Sequence, residues 1–183
     1  MAEPGIKRIV VFGTESTGKT SLAQKLAAHF GEPWAPEFVR EFWDLRGGTI
    51  TPHDLGTIAL GQLANEDFAA ARAGRLVFCD TDLLTCVLWA DLLFPGACPA
   101  WVRPQAEERA RGSTLYLLCD TDLPFVPDPQ RSFPDEAGRA LGRRLWHEAL
   151  EKRRLPFVAI RGERAQRETT AIAAVQSILQ GQA

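Results

Sequence analysis

The sequence has no apolar segment of membrane-spanning length, no run of basic residues and no Asn-Lys-x-Asp motif for reading guanine. The first absence excludes a membrane-spanning helix and the last disfavours a GTPase. A broad surface for binding nucleic acid is not expected either, because 21 basic residues are balanced by 23 acidic ones. The cysteines lack the spacing of a zinc site, so we interpret them as buried thiols: Cys79, Cys86, Cys98 and Cys119.

The first predicted strand, residues 9–12, lies too close to Met1 for a signal peptide to precede it. We therefore expect a cytoplasmic protein, and the sequence leaves its oligomeric state open. The 183 residues, 45% hydrophobic and 24% charged, are typical of one globular domain spanning residues 1–183. Strand patterns alternate with helix patterns, which predicts an α/β fold with a parallel sheet and helices on both faces.

The predicted elements alternate along the whole chain. Strands are expected at residues 9–12, 76–79, 115–119 and 156–160, with a short edge strand that ends near Glu37. Helices are expected at residues 19–30, 38–43, 51–73, 83–94, 99–111, 135–153 and 165–179. In the third helix, the residues expected to be mostly core are Ile58, Leu60, Leu63 and Phe68.

A strand, a glycine-bounded turn and a helix follow one another near the N-terminus. Gly13, Gly18, Lys19 and Thr20 satisfy G-x-x-x-x-G-K-[ST], the phosphate-binding P-loop. Backbone N–H groups of such a loop bind phosphate at a helix N-terminus, the lysine reaches the β- and γ-phosphates, and the threonine hydroxyl can ligate Mg²⁺. A chance Gly/Ser/Thr turn is the alternative, but the flanking strand and helix favour a nucleoside triphosphate site. The residues expected to bind the nucleoside triphosphate are Gly13, Thr14, Glu15, Ser16, Thr17, Gly18, Lys19, Thr20 and Ser21.

Three polar residues follow the strand at residues 76–79, at the sheet edge where ligands bind in parallel sheets. Asp80 has the context of a carboxylate that holds Mg²⁺ directly or through water. Its alternative role is the N-cap of the next helix, which Asp82 fills at least as well. Thr81 is a candidate for capping or for contact with the substrate.

Two further segments are expected at the same edge of the sheet. Glu37 can take the proton of an attacking hydroxyl, with Arg40 one turn on; a solvated helix face is the alternative. The proline-rich residues 123–134 suit a lid that closes over the phosphates and presents Arg131 to the transferring group, with a plain surface loop as the alternative. Five aromatic residues outside the strands can either stack a flat or cationic ring or pack in the core: Trp34, Phe38, Phe42, Trp43 and Trp89.

These motifs resemble the ribosylnicotinamide kinase domains of the NadR type. The resemblance extends over residues 10–167 and rests on Gly13-x-Glu15-Ser16-Thr17-Gly18-Lys19-Thr20, Glu37-x-x-Arg40, Ile58-Ala59-x-Gly61-Gln62, Asp80-Thr81-Asp82 and Val126-x-Asp128-x-x-Arg131. It implies a three-layer P-loop kinase fold with strand order 2-3-1-4-5. It also implies that the γ-phosphate of ATP, with Mg²⁺, is transferred to the 5′-hydroxyl of nicotinamide riboside, giving nicotinamide mononucleotide.

The resemblance also assigns roles to residues. Those expected to act in catalysis are Lys19, Glu37, Asp80 and Arg131, with Glu37 or Asp80 orienting or deprotonating the acceptor hydroxyl. Those expected to bind the nucleoside are Glu37, Arg40, Thr81, Asp82 and Asp128. Thr20 and Asp80 are expected to hold the metal, and Arg164 and Arg167 are candidates for contact with adenine.

The lid departs from the family pattern Trp-x-x-Asp-Gly-x-Arg at two positions, where Phe125 replaces tryptophan and Pro129 replaces glycine. Because proline fixes φ and removes an N–H, we expect the change to affect lid mobility and substrate choice more than nucleotide chemistry. NadR proteins carry DNA-binding and adenylyltransferase domains ahead of the kinase, and neither function is assigned here because this chain begins almost at the P-loop. Two alternatives stay open: a kinase for another nucleoside or small hydroxylated metabolite, and a P-loop nucleotide sensor without acceptor-dependent turnover.

Overall fold

A computed structural model describes residues 5–181. Five strands form one sheet, and every neighbouring pair is parallel. The strands are β1 (Lys7–Phe12), β2 (Trp34–Ala35), β3 (Leu76–Asp80), β4 (Leu115–Cys119) and β5 (Phe157–Ile160). Their order in the sheet, β2-β3-β1-β4-β5, confirms the order expected from the family resemblance.

Helices connect these strands. They are α1 (Lys19–Phe30), α2 (Phe38–Leu45), α3 (Leu55–Ala70), α4 (Leu83–Leu93), α5 (Val102–Gly112), α6 (Glu136–Arg153) and α7 (Arg164–Leu179). A short 3-10 helix, Pro52–Asp54, precedes α3. None of the helices within residues 5–181 is long and apolar enough to cross a membrane.

Alternate residues of β1 point to opposite faces of the sheet. Ile9 and Val11 pack in one core with residues of α1 and α7, whereas Val10 and Phe12 pack in a second core with residues of α3, α4, α5 and α6. All four side chains are fully buried. Helices therefore cover both faces of the sheet, which is the predicted three-layer α/β architecture.

The predicted boundaries lie close to the observed ones, but the face of α3 that packs inward differs. The helix ends at Ala70 rather than near Ala73. Leu60 and Phe68 are 60% and 63% exposed, so the prediction that they are mostly core was wrong. The ring of Phe68 is instead covered by the Arg72 guanidinium, 3.9 Å from its centroid.

The buried face of α3 carries polar side chains in their place. Gln62 and Glu66 are both buried and joined by a 3.3 Å hydrogen bond. Glu66 also forms ion pairs with Arg8 on β1, at 2.5 Å, and with Arg109 on α5, at 3.7 Å. Burial raises the pKa of Glu66 to about 7 against the lowering effect of these arginines. The inward face of α3 therefore holds a buried polar network that its apolar pattern did not predict.

All four cysteines are free, and the prediction that they are buried is confirmed for Cys79 and Cys119. Cys79 and Cys119 are buried at the ends of β3 and β4, and burial raises the pKa of both thiols, that of Cys119 to about 11. Cys86 and Cys98 are partly buried.

Candidate active site

The P-loop connects β1 to α1. Gly13 has φ +147°, and a Cβ at this position would lie 2.7 Å from the Cys119 carbonyl oxygen, so the loop requires glycine here. Lys19 Nζ and Thr17 Oγ1 each donate a 2.8 Å hydrogen bond to the Thr14 carbonyl oxygen. The lysine ammonium is thus held across the loop, where it can reach a bound phosphate.

Arg167 on α7 supports the P-loop from behind. Its side chain is buried and donates to the carbonyl oxygens of Thr17 and Asp120, both at 3.0 Å, and to the carboxylate of Asp122. Arg167 borders a cavity of about 60 Å³ beside Gly18, but its N–H groups bond the protein itself. No local pattern of residues indicates this role, since Thr17 lies 150 positions away.

Asp80 ends β3 with both carboxylate oxygens buried and, within the described part of the chain, without a hydrogen bond of ordinary geometry. Burial and the negative charge of Glu37 raise the pKa of Asp80 to about 6, against the lowering effects of Lys19 and the Thr20 hydroxyl. Carboxylate and hydroxyl oxygens are ligands that Mg²⁺ prefers. The uncommitted carboxylate beside Thr20 therefore fits the metal site expected from the sequence.

Asp82 lies two residues further on but is turned away from the site. Its carboxylate caps α4 by accepting the Thr85 N–H at 3.2 Å, and it accepts the Tyr116 hydroxyl at 2.6 Å. These contacts correspond to the capping alternative rather than to substrate binding. Thr81, between the two aspartates, has φ +66° and lines the main cavity.

Glu37, at the N-cap of α2, lies close enough to Asp80 to raise its pKa. Arg40 Nε lies 3.3 Å from the Glu37 carboxylate, and Arg40 Nη1 lies 3.7 Å from the Asp128 carboxylate. The Arg40 guanidinium therefore links Glu37, at the start of α2, to Asp128 in the lid. The structure brings these three predicted substrate residues together.

The lid, residues 123–134, lies on the P-loop. Arg131 Nη1 is 3.3 Å from Ser16 Oγ, which also accepts the Val126 N–H at 2.9 Å. The backbone N–H of Arg131 donates to the Asp128 carbonyl oxygen at 3.0 Å. This bond closes a four-residue turn in which Pro129 is the second residue. This position needs no N–H and favours the φ of proline, which explains how proline is accommodated where the family pattern has glycine.

Glu15 makes the contact between P-loop and lid that the sequence analysis missed. Its carboxylate accepts the backbone N–H groups of Ser132, at 2.9 Å, and Phe133, at 2.5 Å. The sequence analysis placed Glu15 in the P-loop and in the family motif but expected it to bind the nucleotide, not the lid.

One cavity of about 200 Å³ opens between the P-loop, α2, α3, α4 and the lid. The predicted site residues that line it are Glu15, Lys19, Glu37, Arg40, Thr81 and Arg131. Asp80, Asp82 and Asp128 are not among its lining residues. Its far wall is largely apolar and includes Ile58, Leu55, Leu93, Phe94, Pro99 and Val102.

Two of the five candidate aromatic residues, Trp43 and Trp89, line this cavity. Phe133 from the lid stacks on Trp89, with ring centroids 6.0 Å apart and an interplanar angle of 9°. Phe42 is buried and Trp34 packs against the core beside α1, so for these two core packing is observed. The cavity therefore offers flat aromatic surfaces beside charged groups.

Gln62 is a cavity residue to which sequence reasoning assigned no role. Its side-chain oxygen accepts the Phe38 N–H at 3.1 Å, and its amide nitrogen donates to Glu66. It thereby ties the first residue of α2 to α3, next to Glu37. The motif Gly61-Gln62 had been noted only as part of the family resemblance.

A parallel sheet of this order with a P-loop after its first strand defines a protein of the P-loop kinase-like class. The chain belongs to an AAA domain family, whose model matches residues 8–167.

Curated relatives include the trifunctional NAD biosynthesis/regulator protein NadR of Escherichia coli K12, 30% identical over 162 residues, with 86% of this chain and 39% of that protein covered. NadR of Salmonella typhimurium LT2 is 28% identical over 160 residues, with 85% and 38% covered. The chain is thus homologous to NadR and spans about two fifths of the length of these relatives. This homology supports a kinase.

Solved structures agree on the fold. NadR in complex with NR has a TM-score of 0.71 at 23% identity, with 94% of this chain and 51% of that chain covered. Thymidylate kinase from Ehrlichia chaffeensis has a TM-score of 0.65 at 12% identity, with 94% and 100% covered.

Proposed function

We propose that the protein is an ATP-dependent kinase that phosphorylates the 5′-hydroxyl of nicotinamide riboside and gives nicotinamide mononucleotide. One observation carries the proposal: a single cavity is lined by the P-loop lysine, by the paired Glu37 and Arg40, and by Arg131 of the lid. The γ-phosphate of ATP and the hydroxyl that accepts it would meet in this cavity. The homology to NadR, and the likeness of fold to NadR in complex with NR, support this acceptor over others.

On the donor side, the backbone of residues 13–20 and the Lys19 ammonium bind the phosphates of ATP. Thr20 and Asp80 would hold Mg²⁺, which supplies neutralisation of charge between the β- and γ-phosphates. Arg131 is placed by the lid close to Ser16 of the loop, where its guanidinium stabilises the charge of the transferring phosphoryl group. Positioning and charge stabilisation supply most of the rate in such a site.

On the acceptor side, Glu37 is the better candidate for the group that takes the proton of the attacking hydroxyl. It lines the cavity, whereas Asp80 does not and fits the metal. Arg40 holds the Glu37 carboxylate at 3.3 Å and so fixes its direction. Trp43 and Trp89 line the cavity and are the candidates for contact with the nicotinamide ring, which is cationic and is attracted by aromatic π-systems.

The test is mass-spectrometric detection of nicotinamide mononucleotide after incubation with ATP, Mg²⁺ and nicotinamide riboside. Lys19→Ala is the control, and we expect its rate to fall by at least about 100-fold. Parallel reactions with adenosine, cytidine, uridine and thymidine measure the competing nucleoside kinase function. A product with one of these and none with nicotinamide riboside would overturn the acceptor but keep the kinase. ATP binding without any phosphorylated acceptor would favour the nucleotide sensor.

A further inference from the structure

Glu15 is an acidic residue within the phosphate-binding loop, where its negative charge opposes the binding of phosphate. Its side chain is only 9% exposed and faces the lid. One carboxylate oxygen accepts the Ser132 N–H and the other accepts the Phe133 N–H. The role of Glu15 is therefore to be sought in the lid rather than in phosphate binding.

The lid is attached to the P-loop at two points, on either side of Arg131. Near its start, the Val126 N–H donates to Ser16 Oγ at 2.9 Å. Near its end, Glu15 holds the two N–H groups that follow Arg131 directly in the chain. Between these attachments, the Arg131 guanidinium reaches Ser16 Oγ at 3.3 Å.

Phe133, whose N–H is the second that Glu15 accepts, also contacts the wall of the cavity. The Phe133 ring stacks on Trp89, which lines the cavity. A Cβ at Gly138 would lie 2.6 Å from the Phe133 side chain, so α6 packs closely against the other side of this residue. A single carboxylate in the P-loop therefore holds both the segment that directly follows Arg131 and the residue that stacks on the cavity-lining Trp89.

We propose that Glu15 is a positioning residue for phosphoryl transfer. By accepting the N–H groups of Ser132 and Phe133, it holds the lid where Arg131 lies on the phosphate site and Phe133 lies on Trp89. The effect on rate rests on the proposed kinase function, whereas the holding of the lid does not.

Steady-state kinetics of Glu15→Ala separate this role from simple support of the P-loop. Loss of both carboxylate oxygens removes the hydrogen bonds to the Ser132 and Phe133 N–H groups and so displaces Arg131. We therefore expect kcat to fall by about 10- to 100-fold. The KM for ATP is expected to stay the same or decrease, because the lost carboxylate is negative and borders the phosphates. Glu15→Gln keeps one acceptor oxygen and is expected to have an intermediate kcat. A raised KM for ATP with unchanged kcat would overturn the proposal.

The double variant Glu15→Ala/Arg131→Ala tests whether Glu15 acts through the arginine. If it does, the double variant has the same kcat as Arg131→Ala alone, because loss of the Glu15 carboxylate cannot displace a guanidinium that is already absent. If the fold-losses of kcat in the two single variants multiply in the double variant, the role of Glu15 through Arg131 is overturned.

Amide hydrogen exchange measured by NMR tests the holding of the lid without any acceptor or turnover. We expect the Ser132 and Phe133 amides to exchange at least about 10-fold faster in Glu15→Ala than in the wild type. Glu136→Gln is the matched control, because this exposed acid at the start of α6 has no role in the attachment. Equal exchange in wild type and Glu15→Ala would overturn the proposal. If the wild type makes no nicotinamide mononucleotide, the proposed acceptor fails, and the exchange result still decides whether Glu15 holds the lid.

Discussion

Asp80 carries a buried carboxylate whose oxygens have no hydrogen-bond partner of ordinary geometry among the described residues. Desolvation makes its ionised form unfavourable and raises its pKa to about 6. Above this pH the folded chain keeps a charge that its surroundings disfavour. Such an arrangement at the end of a strand beside a P-loop is typical of a functional group rather than of one that stabilises the fold.

Asp80→Asn removes the charge with little change in size. We expect kcat to fall by about 10²- to 10³-fold, because the metal loses its carboxylate. We expect the free energy of unfolding at pH 8 to rise by about 1–3 kcal/mol, because a disfavoured buried charge is removed. Kinetics with excess Mg²⁺ and thermal unfolding measure the two effects.

Asp82→Asn is the matched control, because its carboxylate is equally buried but caps α4 and bonds Tyr116. Its kcat is expected to stay within a few-fold of the wild type. Full turnover in Asp80→Asn, or equal losses in both variants, would contradict the role given to Asp80.

At the scale of elements, the contact between α2 and α3 places the acceptor-side charges. A Cβ at Gly61 would lie 2.2 Å from the Phe38 ring, so the two helices approach as closely as glycine permits. Gln62 then binds the Phe38 N–H at 3.1 Å. Because Glu37 is the N-cap of α2 and Arg40 lies in its first turn, this packing sets their distance from the P-loop.

Gly61→Ala is expected to push α2 away from α3, which raises the KM for the nucleoside and lowers the melting temperature. The cost in unfolding free energy is expected to be about 1–3 kcal/mol, as for other overpacked sites. Gly56→Ala in the same helix is the control, since its Cβ would meet only Pro99 Cγ at 3.8 Å. That change is expected to raise stability slightly, because alanine favours helix more than glycine. Similar behaviour of the two variants would contradict the importance of the contact.

The sequence predicted the elements whose signals are local. The P-loop, the carboxyl ends of β3 and β4 and the start of α6 all follow from patterns of a few neighbouring residues. Glu15 and Ser132 are 117 positions apart, so no local pattern indicates their bond. The burial of Gln62 was missed for a related reason, since its partners lie on other turns or elements and only the fold brings them together.

At the scale of the whole molecule, the Glu66 carboxylate forms ion pairs that connect three elements of the fold. It lies on α3 and pairs with Arg8 of β1 and Arg109 of α5. Burial and the nearby negative charge of Asp82 favour its protonated form and, despite these arginines, raise its pKa from 4.5 to about 7. Together with Asp80, it makes stability depend on pH in the neutral range.

The sign of this dependence follows from the folded state binding protons more tightly than the unfolded chain. Stability from Glu66 and Asp80 is fully present below their unfolded pKa values, 4.5 and 3.8, and is lost as pH rises through about 6 to 7. We therefore expect the melting temperature to fall by about 5–10 °C between pH 5 and pH 8. In Glu66→Gln the slope should be about half as large, whatever the absolute stability. An equal slope in both proteins would contradict the pKa assigned to Glu66.

In the proposed reaction, the γ-phosphoryl group of ATP passes to a nucleoside hydroxyl in the cavity beneath the lid. Phosphorus NMR of a reaction with ATP, Mg²⁺ and nicotinamide riboside tests this directly, because it follows every phosphorus atom. We predict that the γ-phosphate signal of ATP is replaced by an equal amount of a phosphomonoester signal at the 5′ position, together with ADP, and that Lys19→Ala shows neither. Release of the γ-phosphate as inorganic phosphate, or no change in ATP at all, would contradict the account.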